Sequence, residues 1–529
     1  MRLRPLAAAA AAAALLVTGA TTASADGRHH DDRALTRHDH LSRQDRADLA
    51  RWAADTWTSF VAMTDETTGL PADNIEASLD PATRSGYTSP TNIGAYMWST
   101  VSAEELGIIG KREAKQRLKQ TLATLATMER HEPSGMFYNW YDEHTGAKLT
   151  AFPTGETVYP FLSTVDNGWF AAALMVVRTA EPSLRRQVDV LLDPMDFGAF
   201  YDAAAVAYPG AAPGLMRGGF WVDPPPPPTN GSCGNVPGTW EGSPVAFTCN
   251  HYDITNSEPR IASYIGIARG QVPPEHYFAT ARTFPATCSY GFEQSPTGVT
   301  RTYEGIDVFE GVYTYRGMHI VPTWGGDMFE ELMPDLLVPE STWAPKSWGV
   351  NHPLAVRAHI EHGLDEAGYG YWGFSPASDP FASYNVYGVD AIGMDPAGYP
   401  SDKERTDYDI GYPGCREATN PTPTFGDGVV TPHASFLALP YAPRAAVDNL
   451  RNIETTLGAY GAGGFYDSVA VRSNTQAKRY LSLDQGMVLG AVGNLLGNDV
   501  LHRSFGTRDV ERVLRPLIGQ EEFSAGVIK

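Results

Sequence analysis

The sequence predicts an all-α protein, an (α/α)6 toroid or barrel in which paired helices form a ring and long loops gather on one face. Helical patterns recur along the whole chain, and most begin after Ser, Thr, Asp or Pro and end at Gly. The segments between them are long and rich in Gly, Pro, Tyr and Trp, as functional loops often are. No series of alternating strands at regular spacing is present, which argues against a sandwich or jelly roll.

The predicted helices are segments in which apolar residues recur at helical spacing. They cover residues 46–63, 91–108, 111–131, 167–179, 181–193, 257–269, 345–363, 429–439, 441–458 and 484–497. The aromatic-rich connections lie mainly at 132–162, 205–255, 287–344 and 370–428. Because no linker of distinct composition interrupts the chain, we expect residues 46–520 to form a single catalytic domain.

The first 25 residues have the pattern of a secretory signal peptide. Arg2 and Arg4 precede a run of Ala and Leu, and the segment ends in a small-residue triplet at 23–25. Residues 26–45 are charged and His-rich, which predicts a disordered segment; weak metal binding there is the less favoured alternative. We therefore expect a secreted protein, and no later segment is long and apolar enough to span a membrane.

Composition excludes several classes of partner. The 529 residues include 40 Lys and Arg against 61 Asp and Glu, a net charge of −21, and 43% are hydrophobic, enough for a large core. Nucleic acids require basic patches to bind their phosphates, and an anionic substrate would also be repelled. We therefore expect a neutral partner, no nucleic acid, no membrane and a monomer.

Four cysteines remain in a chain expected to be secreted: Cys233, Cys249, Cys288 and Cys415. Three pairings are possible. We favour Cys233 with Cys249, because that bridge would close a Gly- and Pro-rich loop and restrain the unfolded chain by roughly 3 kcal/mol. Cys288 would then pair with Cys415. No C-x-x-C spacing indicates zinc, and no metal site is predicted.

Aromatic residues concentrate in the predicted loops, as in FYNWYD (137–142), TWGGDMFE (323–330) and GYGYWGFSP (368–376). Flat rings with a polar edge suit the apolar faces of sugars, and neighbouring Asp, Asn and Glu can bind hydroxyl groups. A single loop aromatic often only packs beneath its loop. Taken together, the clusters favour a wide, uncharged, hydroxyl-rich ligand.

Two carboxyl groups stand at predicted helix mouths, where glycoside hydrolysis needs them. That reaction commonly uses one carboxyl to protonate the leaving oxygen and another to activate water or attack the sugar. Asp166 precedes the apolar run WFAAAL, and Glu258 precedes Pro259, which suits a first helical position. Each has a structural alternative: Asp166 can cap its helix, and Glu258 can cap its own and pair with Arg260.

Eleven stretches between residues 66 and 494 occur in the order known from one protein family. They include HEPSGMFYNWYDEHTG (131–146), STVDNGWFAAAL (163–174), SEPRIASY (257–264), TWGGDMFEELMP (323–334) and LSLDQGMVLGAVGN (481–494). These stretches resemble the glucoamylase-like (glycoamylase) domain family, which is similar to bacterial endo-β-1,2-glucanases of glycoside hydrolase family 144 and to the central domain of cyclic β-1,2-glucan synthases. The resemblance implies an (α/α)6 barrel, no cofactor and hydrolysis of a β-linked glucan.

The resemblance also implies roles for single residues. Glu258 occupies the glutamate of SE-x-R-x-A-S-Y and is expected to be the general acid; Asp166 occupies the acid of TVD-x-G and is expected to be the base or its partner. Gly168 is expected to leave room for sugar beside Asp166. Trp169 stands where the glucanases often carry a second glutamate, and a Trp at this position is closer to the synthase-related branch. His433 stands where Tyr is common in the family. The insertion around residues 222–250 can form a pocket wall.

Other polar and aromatic residues at shared helix mouths and loops are expected to bind substrate: Asn92, Tyr138, Asp142, Trp169, Trp324, Asp327, Trp372, Asp427, His433, Tyr466, Asp467, Asp484 and Gln485. Each alone has a structural alternative, such as a helix cap for Asp484 or a turn for Asp427. Glu304, Asp307 and Glu310 are alternative groups for activating water in place of Asp166. No Gly-rich phosphate loop, Ser/His/Asp order or HExxH helix is present.

The sequence thus predicts a secreted glycoside hydrolase that cleaves β-glucan, with β-1,2-glucan as the favoured substrate. Two alternatives stay open: an α-glucan glucoamylase-type exo-hydrolase, and a non-catalytic glycan-binding protein on a degenerate barrel. A polysaccharide lyase would need basic groups to neutralise a uronate, and the acidic composition disfavours it. The linkage, endo or exo action and the anomeric outcome are not decided by the sequence.

Overall fold

The structure is a computed structural model that describes residues 41–222, 225–227, 234–287, 294–381, 383–394, 411–412, 414–419, 421–422 and 424–528. The predicted signal peptide and most of the His-rich segment lie outside the described residues. One hydrophobic core extends from Leu41 to Phe523. Within the described part of the chain, no helix is long and apolar enough to cross a membrane.

Fifteen α-helices are present in the described residues. They are α1 Arg43–Met63, α2 Pro90–Glu105, α3 Lys111–Leu125, α4 Thr164–Ala180, α5 Arg185–Leu192, α6 Arg260–Ala268, α7 His276–Ala279, α8 Met328–Leu332, α9 Glu340–Trp343, α10 Trp348–Glu361, α11 Pro432–Leu437, α12 Pro443–Leu457, α13 Ser482–Leu496, α14 Val500–Phe505 and α15 Arg508–Ile518. Each of the predicted helices has a counterpart among them or, at 181–193, in α5 and the 3-10 turn before it.

The described residues also contain 22 short strands. They are β1 Asn74–Glu76, β2 Arg130–His131, β3 Met136–Phe137, β4 Phe161–Ser163, β5 Tyr201–Val206, β6 Pro213–Arg217, β7 Gly219–Trp221, β8 Asn235–Trp240, β9 Ser243–Thr248, β10 His251–Tyr252, β11 Thr297–Tyr303, β12 Ile306–Tyr315, β13 Met318–Ile320, β14 Ala377–Ser378, β15 Tyr384–Asn385, β16 Val429–Val430, β17 Tyr460–Gly461, β18 Gly464–Phe465, β19 Ser468–Ala470, β20 Thr475–Ala477, β21 Arg479–Leu481 and β22 Gly526–Val527.

The expectation of an all-α protein is therefore too narrow. The strands form small antiparallel sheets within the connections, of which the largest have the orders β4-β7-β9-β8 and β11-β12-β13-β22. Several pair residues that are far apart in sequence, as when β1 places Asn74 opposite Leu481 of β21. Such short pairings have no local alternation long enough to be recognised.

Six helices, α2, α4, α6, α8, α11 and α13, form the inner ring. α2 packs on α4, and α4 packs on α6. α6 is joined to α8 by Arg260, whose guanidinium donates to the main-chain oxygens of Glu330 and Glu331. α8 packs on α11, α11 on α13, and α13 on α2, which closes the ring. The predicted ring of helices is confirmed.

Burial separates the inner helices from the outer ones. α13 is buried on all sides, and Leu483 is the sole residue between Ser482 and Asn494 that is not fully buried. The outer helix α3 buries only one face, through Ala114, Leu118, Leu122 and its neighbours at helical spacing. α1, α3, α5, α10 and α12 each pack on an inner helix from outside, so the fold has two concentric layers.

Glycines permit the close approach of the inner helices. A Cβ at Gly168 of α4 would lie 3.0 Å from the Ala262 Cβ and 3.2 Å from its Cα in α6, and one at Gly486 of α13 would lie 2.7 Å from the Ala95 Cβ in α2. The expectation that Gly168 leaves room for sugar is thus wrong: the space that its missing side chain vacates is filled by α6.

Candidate active site

The inner helices carry polar side chains at their N-terminal ends, where backbone N–H groups favour negative charge. Asp166 lies in the first turn of α4, Glu258 just before α6 and Asp327 at the N-cap of α8. His433 and Asp484 lie in the first turns of α11 and α13, and Asn92 lies in the first turn of α2. Candidate site residues from six segments that are distant in sequence therefore all lie at the N-terminal ends of the inner helices.

Asp166 is not the cap of its helix. The hydroxyl of Ser163 caps α4 by accepting from the main-chain N–H of Asp166, so the Asp166 carboxyl is available for other contacts. Its Oδ1 accepts from the Thr91 hydroxyl at 2.7 Å. Its Oδ2 accepts from the Asn139 amide at 2.8 Å, in the amide orientation that also satisfies Trp140. These contacts hold the carboxyl in one position at the start of α4.

Glu258 is neither a cap nor the partner of Arg260. α6 begins after Pro259 with no side-chain cap, and the Arg260 guanidinium instead donates to both carboxylate oxygens of Glu340, at 2.8 and 3.0 Å. The structural alternative for Glu258 is therefore not observed. Glu258 is partly exposed and lines an open cavity of about 560 Å³.

The electrostatics of the two acids favour a proton on Glu258. Burial raises the pKa of Glu258 well above its ordinary value, and the negative charges of Glu330 and Asp166 raise it further, while the indole of Trp169 opposes the shift. Burial also raises the pKa of Asp166, against the lowering effect of hydrogen bonds from Thr91 and Ser163. The charge of Asp166 thus acts on Glu258, which indicates that the two carboxyl groups belong to one site.

The cavity beside Glu258 has an aromatic and acidic lining, which includes Tyr252, Asp253, Trp324 and Glu330. Burial and the charges of Glu258 and Asp166 raise the pKa of the Tyr252 hydroxyl, which keeps that hydroxyl protonated. Burial raises the pKa of Asp253 to about 6. Cys249 and Asn250 also line the cavity, so the end of the 222–250 insertion does form part of its wall, as expected.

Two more acids join this group on the α8 side. Asp327 caps α8 by accepting from the Glu330 N–H at 2.8 Å. Burial and the charge of Glu330 raise the pKa of Asp327 well above its ordinary value. Burial also raises the pKa of Glu330, whose carboxylate accepts from the Gly325 N–H at 3.1 Å.

A third part of the site lies at the starts of α11 and α13. The carboxyl groups of Asp467 and Asp484 are buried, and burial together with their mutual repulsion raises the pKa of Asp484 well above its ordinary value. Nδ1 of buried His433 lies 3.6 Å from Oδ2 of Asp484, and burial lowers the pKa of His433 to about 3. Asp484 is not a helix cap, because α13 has no side-chain cap. Gln485 donates to the Phe465 carbonyl at 3.3 Å.

Asp73, which the sequence did not single out, connects the two halves of the site. Its Oδ1 accepts from the Asn92 amide at 2.8 Å. Burial raises the pKa of Asp73, and the charges of Asp467 and Asp166 raise it further. Asn92, predicted to bind substrate, therefore positions an acid among the others.

The remaining substrate-binding candidates divide by position. Trp324 lines the cavity, and buried Trp169 lies against Trp98 with its indole near Glu258. Tyr138 is buried beneath the Lys148 ammonium, 4.2 Å from its ring centroid, and Tyr466 packs against Tyr480.

Three other candidates have structural roles. Asp142 accepts from the N–H groups of His144 and Thr145 in a turn. Asp427 accepts from the Ser473 N–H at 2.6 Å, which agrees with its turn alternative. Trp372 is 2% exposed, and the Asn449 amide binds its main chain, which places it in the core.

The alternative acids for water activation make their contacts elsewhere. Glu304 lies in the turn between β11 and β12 and accepts from Gln520. Asp307 is exposed and accepts from Thr302. Glu310 is fully buried near Arg282, and burial with the charge of Glu521 raises its pKa to about 8. The contacts of all three acids are thus with the β11–β12 hairpin, with Arg282 or with the C-terminal segment, and not with Glu258.

Cys249 and Cys415 carry no free thiol. Cys233 and Cys288 lie outside the described residues, so the pairing of Cys233 with Cys249 and of Cys288 with Cys415 stays a prediction. Two groups in the described residues have side chains spaced closely enough to hold a metal ion: Asp335, Glu340 and His352, and His433, Asp467 and Asp484.

Comparison with known proteins agrees with this architecture. Residues 295–508 match the Glycoamylase family model, described as "Putative glucoamylase", and residues 51–203 match a family of unknown function, DUF3131. The chain is 23% identical over 591 aligned residues to the cyclic β-(1,2)-glucan synthase NdvB of Rhizobium meliloti. The alignment includes 88% of this chain but only 18% of that much longer protein.

Solved structures share the fold over nearly the whole chain. A Bacteroides caccae protein with the same glucoamylase description has a TM-score of 0.60 at 16% identity, covering 91% of this chain and 100% of its own. The endo-β-1,2-glucanase of Chitinophaga pinensis, in complex with sophorotriose and glucose, has a TM-score of 0.59 at 15% identity. The match covers 90% of this chain and 98% of the glucanase chain. A mutant of the Talaromyces funiculosus endo-β-1,2-glucanase, in complex with β-1,2-glucan, has a TM-score of 0.53 at 11% identity, covering 93% and 97%.

Residues 295–508 therefore resemble the Glycoamylase family model, and the chain as a whole shares its fold with the putative glucoamylases and endo-β-1,2-glucanases to which it is similar.

Proposed function

We propose that this protein is a secreted glycoside hydrolase that cleaves β-1,2-glucan by a two-carboxylate mechanism. Glu258 is the general acid, and Asp166 is the base or the nucleophile. The observation that carries the proposal is the state of Glu258: a carboxyl at an open cavity whose pKa is raised by burial and by two neighbouring acids. A carboxyl with a raised pKa keeps its proton to higher pH than an ordinary glutamate does, and it can donate that proton to a leaving oxygen.

The reaction follows from the different surroundings of the two acids. Glu258 transfers its proton to the glycosidic oxygen as the bond from that oxygen to the anomeric carbon breaks. Asp166, held by Thr91 and Asn139, either takes a proton from the attacking water or attacks the anomeric carbon itself. The first route inverts the anomeric configuration, and the second retains it.

The character of the cleft supports a neutral sugar as substrate. Its acids accept hydrogen bonds, which sugar hydroxyls can donate, and they would repel an anionic sugar. Trp324 and Tyr252 supply flat surfaces beside Glu258. The β-1,2 linkage is supported by solved relatives that hold sophorose, sophorotriose or β-1,2-glucan on the same fold.

The test is digestion of a panel of β-1,2-, β-1,3-, β-1,4- and α-1,4-glucans by the purified protein, with the products sized and their anomers assigned by NMR. We expect cleavage of β-1,2-glucan alone. Release of glucose from the α-1,4-glucan would instead support the glucoamylase-type alternative. Binding of a glucan without any cleavage would support the non-catalytic alternative.

Export and a monomeric state belong to the same proposal. The signal-peptide pattern of residues 1–25 supports export. Mass measurement of the protein recovered from culture medium tests both the cleavage site near Ala25 and the oligomeric state.

A further inference from the structure

Two aromatic side chains are exposed on the surface that the structure describes. Tyr384 is 49% exposed and Phe381 is 39% exposed, whereas every other Phe, Tyr and Trp of the described residues is at least partly buried. Both belong to the β14–β15 hairpin, Tyr384 in β15 and Phe381 in the connection between the strands. Single exposed rings are common on protein surfaces, so the position of this hairpin decides what its rings can contact.

The hairpin is fixed to the acids at one end of the cleft. The main-chain N–H of Ser378, in β14, donates to Oδ2 of Asp467 at 2.6 Å, and the hydroxyl of Ser468 donates to the Ser378 carbonyl. Tyr384 is the residue directly opposite Ser378 in the antiparallel register. Asp467 and Asp484 share a hydrogen bond. Tyr384 is therefore held one strand away from the Asp467–Asp484 pair.

The hydroxyl of Tyr384 lies within reach of the charges at both ends of the cleft. Burial raises the pKa of this hydroxyl well above its ordinary value, and the charges of Asp484, Asp467, Glu258 and Asp73 raise it further. Charges act in this way only at short range, so the hydroxyl lies between Glu258 and the Asp467–Asp484 pair. The hydroxyl end of the ring is thus enclosed by the site, while about half of the residue stays open to solvent.

The open cavity beside Glu258 accounts for only one side of this acid. Its lining of described residues includes Tyr252 and Trp324 but not Tyr384. An acid that protonates a glycosidic oxygen needs room for one sugar on each side of that oxygen. The cavity can hold the sugar on one side, which leaves the stretch between Glu258 and the Asp467–Asp484 pair for the sugar on the other.

We propose that Tyr384 is a substrate-positioning residue, whose exposed ring stacks on the sugar unit that lies between Glu258 and the Asp467–Asp484 pair. The inference rests on the proposed function, because it takes Glu258 as the acid at the cleaved bond. The face of a β-linked glucosyl ring presents C–H groups, which suit a flat aromatic surface. Stacking fixes the plane of the sugar, so that the surrounding carboxyl groups can bind its hydroxyls and its anomeric carbon stays in place.

The experiment measures binding of a β-1,2-glucan oligosaccharide by titration calorimetry in the Glu258→Gln protein, which is expected to bind the sugar without cleaving it. This parent is compared with double variants that also carry Tyr384→Ala, Tyr384→Phe or Tyr371→Ala. Tyr371 is the matched control, because it is a partly exposed tyrosine whose hydroxyl contacts Thr456 of the outer helix α12. The same three tyrosine substitutions in the protein with Glu258 intact give KM and kcat for β-1,2-glucan.

We expect Tyr384→Ala to weaken binding roughly tenfold and to raise KM by a similar factor, because the sugar loses the apolar surface that covers it. Tyr384→Phe keeps the ring and should stay within roughly threefold of its parent, and Tyr371→Ala should not change the affinity. A purely structural role would not be rescued by Phe in this way. If Tyr384→Ala does not fold, as judged by circular dichroism, Tyr384→Leu takes its place, since leucine fills the space without a flat ring.

Two results would overturn this inference alone. One is cleavage of β-1,2-glucan by wild type with an unchanged KM and affinity in Tyr384→Ala. The other is an equal loss in Tyr384→Phe and Tyr384→Ala, which would assign the effect to the hydroxyl and not to the ring. A wild-type protein that neither binds nor cleaves any glucan of the panel would instead overturn the proposed function, and the inference with it.

Discussion

Arg260, two residues after Glu258, binds both carboxylate oxygens of Glu340 through its guanidinium. This ion pair joins the first residue of α6 to the first residue of α9. The guanidinium also donates to the main-chain oxygens of Ser257, Glu330 and Glu331. One buried side chain therefore holds the loop that carries Glu258 against the helix that carries Glu330. The position of the proposed acid depends on this link.

Removing the link should destabilise the protein. In Arg260→Ala, Glu340 loses its cation while staying buried, which is expected to lower the free energy of unfolding by roughly 3–5 kcal/mol. Urea denaturation measures the change. The exposed helical residue Arg112 provides the control, since Arg112→Ala should stay within about 0.5 kcal/mol of wild type. Equal effects of the two substitutions would contradict the role assigned to Arg260.

The pH dependence of hydrolysis should report the neighbours of Glu258. Because the acid works in its protonated form, kcat/KM is expected to fall as the pH rises through the raised pKa of Glu258. After burial, the charge of Glu330 is the next cause of that raised pKa, so Glu330→Gln should move the alkaline limb to lower pH. Glu132→Gln, at an 81% exposed side chain, should leave the limb in place. An alkaline limb that does not move in the Glu330 variant would contradict this account.

The raised pKa values of two buried acids should contribute stability that is lost as the pH rises. The folded-state pKa values of Glu258 and Asp484 lie above their unfolded values, so the folded protein binds more protons. The stability this provides is complete below about pH 4 and is lost as the pH rises through the folded values. Glu340 has a pKa lowered to about 2; its contribution is lost only in acid and adds no slope between pH 5 and 8.

Replacing either acid by its amide should remove part of this loss of stability with rising pH. Between pH 5 and pH 8, Glu258→Gln and Asp484→Asn are each expected to lose less stability than wild type, because their amides do not titrate; each unit by which a pKa is raised corresponds to about 1.4 kcal/mol. Thermal unfolding at the two pH values measures the difference. A loss of stability between the two pH values that is equal in the variants and in wild type would show that these carboxyl groups do not have raised pKa values in the folded state.

The contact of Gly168 with α6 leads to a prediction about packing. In Gly168→Ala, the new methyl group would press on Ala262, and overpacking of this kind costs about 1–3 kcal/mol. The displaced helix is the one that follows Glu258, so kcat should fall as well. Gly526→Ala is the matched control, because a Cβ there meets nothing within 4 Å. Full activity and stability in Gly168→Ala would mean that the space beside α4 is open, as the sequence first suggested.

The helices were predictable because their signals are local. Ser89 and Ser163 cap α2 and α4, and apolar residues recur at helical spacing in the outer helices. The strands were not predictable, because many of them consist of two or three residues whose partners are distant, such as Asn74 with Leu481. A helix or a strand can be recognised from sequence only where its apolar periodicity extends over enough residues.

The site was predictable in part for a related reason. Asp166 and Glu258 stand at helix starts, which composition and capping rules identify. Asp73 and Glu330 were missed, since Asp73 lies in a loop and Glu330 looks like one exposed acid in FEEL. The pairing of Arg260 with Glu340, 80 residues later, and the grouping of His433 with Asp467 and Asp484 exist only after the ring has closed.

The most direct measurement is the turnover of β-1,2-glucan by Glu258→Gln, together with its affinity for the same glucan. Loss of the proton donor should lower kcat by roughly 10²–10⁴-fold or more, while glucan binding and the melting temperature at pH 5 stay close to those of wild type. Turnover equal to wild type in a folded, glucan-binding Glu258→Gln protein would contradict the assignment of Glu258 as the acid and, with it, the mechanism proposed for this cleft.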